Sequence, residues 1–161
     1  WSSDVCSSDL DINRDVYVRM MEAGLTVRGE VVRSYWSDLG TPSRYLSTVR
    51  DVLSGQVPLE GLGTDSPFAL APRAQGNYWA HPSARVGGAQ VTGPAHLDAG
   101  CSLAEGVRVG ASVSMGAQAR VGAGARLERC AILEGTEVAP GEELTEVMAW
   151  GAHRVPAPLT P

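Results

Sequence analysis

The sequence predicts a mainly β protein: a coil of short strands over residues 81–150, preceded by the end of an α/β domain over residues 11–55. Three observations carry this. Aliphatic residues or Met recur at every sixth position from Val91 to Leu133. Of the 161 residues, 19 are glycine and one is Phe, which points to turns rather than to a packed helical domain. Upstream of the repeat, apolar residues follow helical spacing and then alternate with polar ones, the order of an α/β unit.

Residues 1–10 contain Ser-Ser-Asp twice, at 2–4 and 7–9, with neither helical nor strand periodicity. They read as non-native sequence, and Cys6 within them carries no weight. Asn13 is the expected N-cap of a short amphipathic helix that places Val16, Met20 and Met21 on one stripe and stops at Gly24. Leu25 to Val32 then alternates small or apolar with polar residues, as a strand with one wet face does. After a turn at 35–40, Thr41 caps a second helix with Pro42 in its first turn. Its predicted buried stripe is Tyr45, Leu46, Val49, Val52 and Leu53, and Gly55 ends it. Residues 56–80 hold three prolines and three glycines with little periodicity, so they read as a surface linker that Phe68 and Leu70 could pin.

The repeat runs Val91, Leu97, Leu103, Val109, Met115, Val121, Leu127, Leu133, and four residues on lies a second inward column: Ala95, Cys101, Val107, Val113, Ala119, Ala125, Ala131. Gly110, Gly116 and Gly122 follow the first column and are expected to ease tight corners. Val86 precedes Val91 by five residues, and Val138, Leu144 and Trp150 resume the pattern after another five-residue step, giving three to four coils with Trp150 as a cap. Three hexads close one turn, so each strand stacks on its counterpart at about 4.8 Å. The hexad resembles that of the left-handed parallel β-helix. The handedness comes from this likeness alone, since it runs against the right-handed crossover rule. Residues 151–161 form a tail. Arg85, Arg108, Arg120, Arg126, Glu128 and Arg129, and the acidic run from Glu134 to Glu146, are expected to form a solvated face or a subunit contact.

Composition excludes several functions. A net charge of −5 and a pI near 5.1 argue against nucleic-acid binding, which needs a clustered basic surface. Apolar runs are far shorter than the roughly 20 residues a membrane helix needs, and no secretory signal is recognisable, so the reading is a cytoplasmic protein with no membrane partner. Cys101 and Cys130 form no Cys-x-x-Cys pair and are expected as buried free thiols. A hexapeptide-repeat acyltransferase would want a histidine base on an extruded loop. His81, His96 and His153 occupy none and are expected as ordinary surface histidines. That enzyme, or a purely structural oligomerising β-helix, is the alternative to the reading below.

Trp36-Ser37-Asp38-Leu39-Gly40-Thr41-Pro42-Ser43-Arg44-Tyr45-Leu46 resembles the motif that closes the catalytic domain of sugar-1-phosphate nucleotidyltransferases, especially the mannose-1-phosphate guanylyltransferase-like and glucose-1-phosphate thymidylyltransferase-like groups. With the repeat that follows, the likeness extends over almost the whole chain. It implies that Asp38 helps hold a catalytic Mg²⁺ opposite a second aspartate that lies much earlier in the family. It also implies that Tyr35, Trp36 and Gly40 lie beside the nucleotide or sugar. The chemistry makes sense of a carboxylate here: a sugar phosphate meets a nucleoside triphosphate, and a hard cation on carboxylates neutralises the clash. The plainer role for Asp38 is to cap the turn or the helix behind it. The family's glycine-rich phosphate loop and its earlier aspartate have no counterpart in this sequence, so no catalytic residue is assigned. The expectation is therefore a C-terminal fragment, inactive alone, of an enzyme moving a nucleotidyl group from an NTP to a sugar-1-phosphate, with GDP-mannose the favoured product. Homo-oligomers are common among proteins with this repeat.

Overall fold

The computed structural model describes residues 11–57 and 77–159. The Ser-Ser-Asp repeats, Cys6, Phe68 and Leu70 lie outside the described residues, as does most of the expected linker. The chain divides into two compact units with the break after Ser34, and each is taken by itself.

In the first unit, a π-helical stretch, Ile12–Tyr17, runs into α1, Val18–Glu22. The cap is Asp11 rather than Asn13: its carboxylate accepts the Asn13 and Arg14 N–H groups, two donors that a helix start leaves orphaned. Gly24, at φ 74°, ends α1 in a Schellman arrangement, with its N–H on the Met21 carbonyl and the Leu25 N–H on that of Met20. The expected strand from Leu25 to Val32 is not formed. A strand needs neighbouring backbone to bond to, and Val31 and Val32, 81% and 72% exposed, have found none among the described residues.

In the second unit, α2 spans Pro42–Leu53 as expected. Thr41 Oγ1 accepts the Arg44 N–H at 3.3 Å, Pro42 opens the helix, and Gly55 at φ 79° closes it. Of the predicted stripe, Leu46 and Leu53 are fully buried while Tyr45, Val49 and Val52 are half-buried.

The rest is a three-sided parallel coil of about four turns, consistent with the expected left-handed β-helix. One side carries β1 (Tyr78–Ala80), β3 (Ala95–Leu97), β6 (Val113–Met115), β9 (Ala131–Ile132) and β12 (Val147–Trp150), in that order. The second carries β4 (Ser102–Leu103), β7 (Arg120–Val121) and β10 (Glu137–Val138), and the third β2 (Gln90–Val91), β5 (Arg108–Val109), β8 (Arg126–Glu128) and β11 (Glu143–Thr145). Both hexad columns up to Leu127 point inward, and from Ala95 onward every member is buried. Cys101 and Cys130 are free thiols in that core, and burial pushes them up to about 11 and about 12, so both stay protonated.

The register slips one hexad earlier than the period suggests. Met115 pairs with Ile132 rather than Leu133, so the five-residue step falls between Leu127 and Ile132. Cys130 therefore takes the inner position expected of Ala131, and Ala149, not Trp150, continues the column. The glycines also differ in role. None of Gly110, Gly116 and Gly122 has positive φ; the corners that require it are held by residues such as Gly106 and Gly124, at 73° and 70°. Gly116 and Gly122 are small because the next coil crosses them. A Cβ on Gly116 would meet the Glu134 nitrogen at 2.7 Å, and one on Gly122 the Pro140 nitrogen at 2.5 Å.

The end of the coil is closed by a hairpin: β13, His153–Pro156, folds back antiparallel on β12. This places Trp150 beside His153, ring centroids 5.3 Å apart, on an exposed turn instead of over the last coil. Arg154 clasps the hairpin to the coil. Its Nε donates to Glu142 Oε1 at 2.7 Å and its Nη2 to the Glu137 carbonyl at 2.8 Å. The Arg154 hydrogen bonds, helped by the Ala139 N–H, hold the Glu142 carboxyl below its ordinary value of 4.5.

Two predictions test this architecture. Met115→Ala costs about 2–5 kcal/mol of unfolding free energy, whereas the exposed Glu105→Ala stays within about 0.5 kcal/mol, by chemical denaturation. Because folding lowers the Glu142 pKa, the pair's stabilisation is complete above the ordinary carboxylate range and fades as pH falls through the folded value. Glu142→Gln accordingly lowers Tm at pH 7 and converges with the parent in melts taken towards pH 3.

Candidate functional site

The loop before α2 is laced to that helix by its own side chains. Tyr35 Oη donates to Asp51 Oδ2 at 3.0 Å, Ser37 Oγ and Thr48 Oγ1 share a hydrogen bond of 2.5 Å, and the Asp38 carboxylate is ion-paired with Arg44 through its Oδ2. The other oxygen, Oδ1, accepts the Gly40 N–H at 3.0 Å. That bond folds the chain into an Asx turn just ahead of the Thr41 cap. Gly40 is crowded from the same side: a Cβ there would sit 3.2 Å from Asp38 Oδ1.

The sequence-predicted residues thus fall on one short segment with different surroundings. Tyr35 lies against α2 through its hydroxyl, Gly40 lies under the Asp38 carboxylate, and Trp36, 78% exposed, turns its ring to solvent. No strand precedes Asp38 among the described residues, so it sits at a loop rather than at a strand's end. Arg44 and Asp51, which orient Asp38 and Tyr35, were not singled out in the sequence. Arg44 had a signal, a cation in the first turn of a helix six residues after an exposed aspartate. Asp51, 16 residues from Tyr35, had none.

A Mg²⁺ ion needs about six oxygen ligands, usually with more than one carboxylate or phosphate among them. Both Asp38 oxygens are engaged within the chain, and among the described residues no three His, Cys, Asp or Glu side chains converge on one point. By themselves these residues do not fit a magnesium centre. Asp38 is the one carboxylate on this loop, and its pairing with Arg44 competes with a cation for it.

The helix carrying the motif is seated on the coil. Leu46 is buried with Ala131 and Ala157, and Tyr45, Met148 and Leu159 close around them. A depression of about 160 Å³ lined by Leu39, Gly40, Thr41, Pro42, Tyr45 and Met148 lies where loop, helix and coil meet.

The histidines lie apart from this loop. His81 Nδ1 is bonded to the Ser83 hydroxyl at 2.7 Å, and His153 stacks on Trp150. His96 is half-buried rather than an ordinary surface residue, and burial lowers its pKa although Asp98 pulls the other way.

No protein-family model matches the chain. A stretch of 62 residues, 38% of this chain, is 42% identical to valienol-1-phosphate guanylyltransferase from Streptomyces hygroscopicus subsp. limoneus. The match spans 16% of that protein. The chain therefore has a partial relative among nucleotidyl-transferring enzymes.

The cap is directly testable. Thr41→Ala lowers stability by about 1 kcal/mol and Thr41→Ser by much less, as read from denaturation midpoints.

Proposed function

We propose that this chain serves as the C-terminal region of an enzyme that transfers a nucleotidyl group from an NTP to a sugar-1-phosphate and releases pyrophosphate. What carries the reading is one conjunction: the Trp36 to Leu46 motif, seated on a hexapeptide-repeat coil, in a chain 42% identical over 62 residues to a guanylyltransferase. GTP with mannose-1-phosphate, giving GDP-mannose, is the favoured pair, in a cytoplasmic setting. The chain alone is inactive on this reading, because nothing in its sequence supplies the glycine-rich loop that cradles a triphosphate.

On this reading Asp38 exchanges its pairing with Arg44 for a cation, and its neighbours keep the surroundings they have here. Trp36 offers an exposed aromatic face against a base or sugar ring. Tyr35, tied to Asp51, and Gly40, whose N–H donates to the Asp38 carboxylate, hold the loop's shape beside the substrate. Mg²⁺ is the cofactor the chemistry asks for, with Asp38 one donor and the remaining oxygens coming from outside the described residues. The coil serves assembly, with homo-oligomers as the expected form. Acyl transfer is the weaker reading, since His81 directly follows β1 with its Nδ1 on Ser83, His153 opens the closing strand β13, and His96 lies inside an uninterrupted coil, none of them on an extruded loop.

The test is made in the full-length protein. Asp38→Ala lowers Mg²⁺-dependent pyrophosphate release from GTP and mannose-1-phosphate by about a hundredfold or more, and Trp36→Ala raises KM for one substrate. Undiminished turnover by Asp38→Ala removes Asp38 from the reaction.

A further inference from the structure

The outer face of β2, β5, β8 and β11 carries one column in strict register: Gln90, Arg108, Arg126, Glu143. Arg126 is paired with Glu143 at 3.2 Å. Arg108 stands next to Arg126, and among the described residues it has no carboxylate partner. Two other arginines of the coil are paired along the stack: Arg120 meets Glu137 and Arg129 meets Glu146, each 17 residues on. Like charges side by side in a ladder oppose folding, and Glu143 offsets only Arg126, which leaves the Arg108 charge unmatched on this face.

The same face holds a depression of about 330 Å³. Arg108 and Arg126 line it together with Gln90, Thr92, Thr145 and the carboxylates of Glu128 and Glu143, over a floor from Val109 and Leu127. The volume is at the small end of ligand sites. Its chemistry is mixed in an informative way. A guanidinium fork suits a phosphate bidentately. Amide, hydroxyl and carboxylate groups around it suit a body rich in hydroxyls, and the two glutamates repel a second anionic group.

We propose that this depression binds a small, singly phosphorylated polyol, with Arg108 holding its phosphate and Gln90, Thr92 and Thr145 meeting its hydroxyls. The site is independent of the transferase reading, because no residue of the 35–46 motif lines it.

Glucose 6-phosphate is a suitable probe, titrated calorimetrically into the 161-residue chain at about 20 mM ionic strength, where exposed charges are little screened. Saturable binding is expected. Arg108→Gln weakens it by about tenfold or more, Arg108→Lys by less, and Arg120→Gln, on another face, by under about twofold. Asp38→Ala leaves it unchanged, which separates the site from the proposed active site. The inference fails if no saturable binding is seen, or if Arg120→Gln weakens binding as much as Arg108→Gln. It fails equally if inorganic phosphate, or gluconate with its carboxylate, binds as tightly as the sugar phosphate.

Discussion

Each turn of the coil rests on its own counterpart, and that vertical register is the constraint on which the structure depends. Ala95 lies against Val113, Val109 against Leu127 and Val121 against Val138, so a buried side chain is held mainly by residues 17 or 18 places away. Stability in such a stack is close to a sum of neighbouring interfaces. An uncovered end then exposes both apolar side chains and unpaired backbone. The β12–β13 hairpin with its Arg154 clasp answers that problem on one side of the last turn, and the acidic strands β10 and β11 leave charged outer faces on the other two.

The same register decides which surface charges meet. Arg120 with Glu137, Arg126 with Glu143 and Arg129 with Glu146 are successive-turn neighbours, brought together by backbone hydrogen bonds that exist for other reasons. Exposed pairs of this kind contribute at most about 1 kcal/mol each. They do not hold the coil together. They make its last turn compatible with the one before, because a strongly acidic turn stacked on another acidic turn would repel along its whole perimeter.

The fold was legible where the pattern was redundant. Two inward columns repeating every six residues leave one consistent way to wind residues 91–127, and the upstream five-residue step at Val86 is visible for the same reason. The slip after Leu127 was hidden by chemistry: Cys130, Ala131, Ile132 and Leu133 are all apolar, so either phase satisfies the hexad locally. Only packing chooses between them. The helix caps could be read at Thr41, where a hydroxyl precedes a proline, but not at Asp11, where Asn13 competed two residues on. At the motif, residue identities suggested chemistry while the contacts that shape the loop, Tyr35 to Asp51 above all, join positions too distant in sequence to leave a periodic trace.

That hidden slip links the coil to the motif. Shifting the phase by one residue turns Cys130 and Ile132 inward and Ala131 outward, onto the face where Ser114 and Met148 flank it. An outward alanine offers a flat, apolar seat, and Leu46 of α2 fills it with Ala157 alongside. With the unbroken hexad, Ala131 would point into the core, and a bulkier residue would stand beneath the helix. Because α2 is seated there, the bonds it receives from Tyr35, Ser37 and Asp38 fix the loop relative to the coil. A single-residue departure from the repeat thus sets where Asp38 and Trp36 are presented.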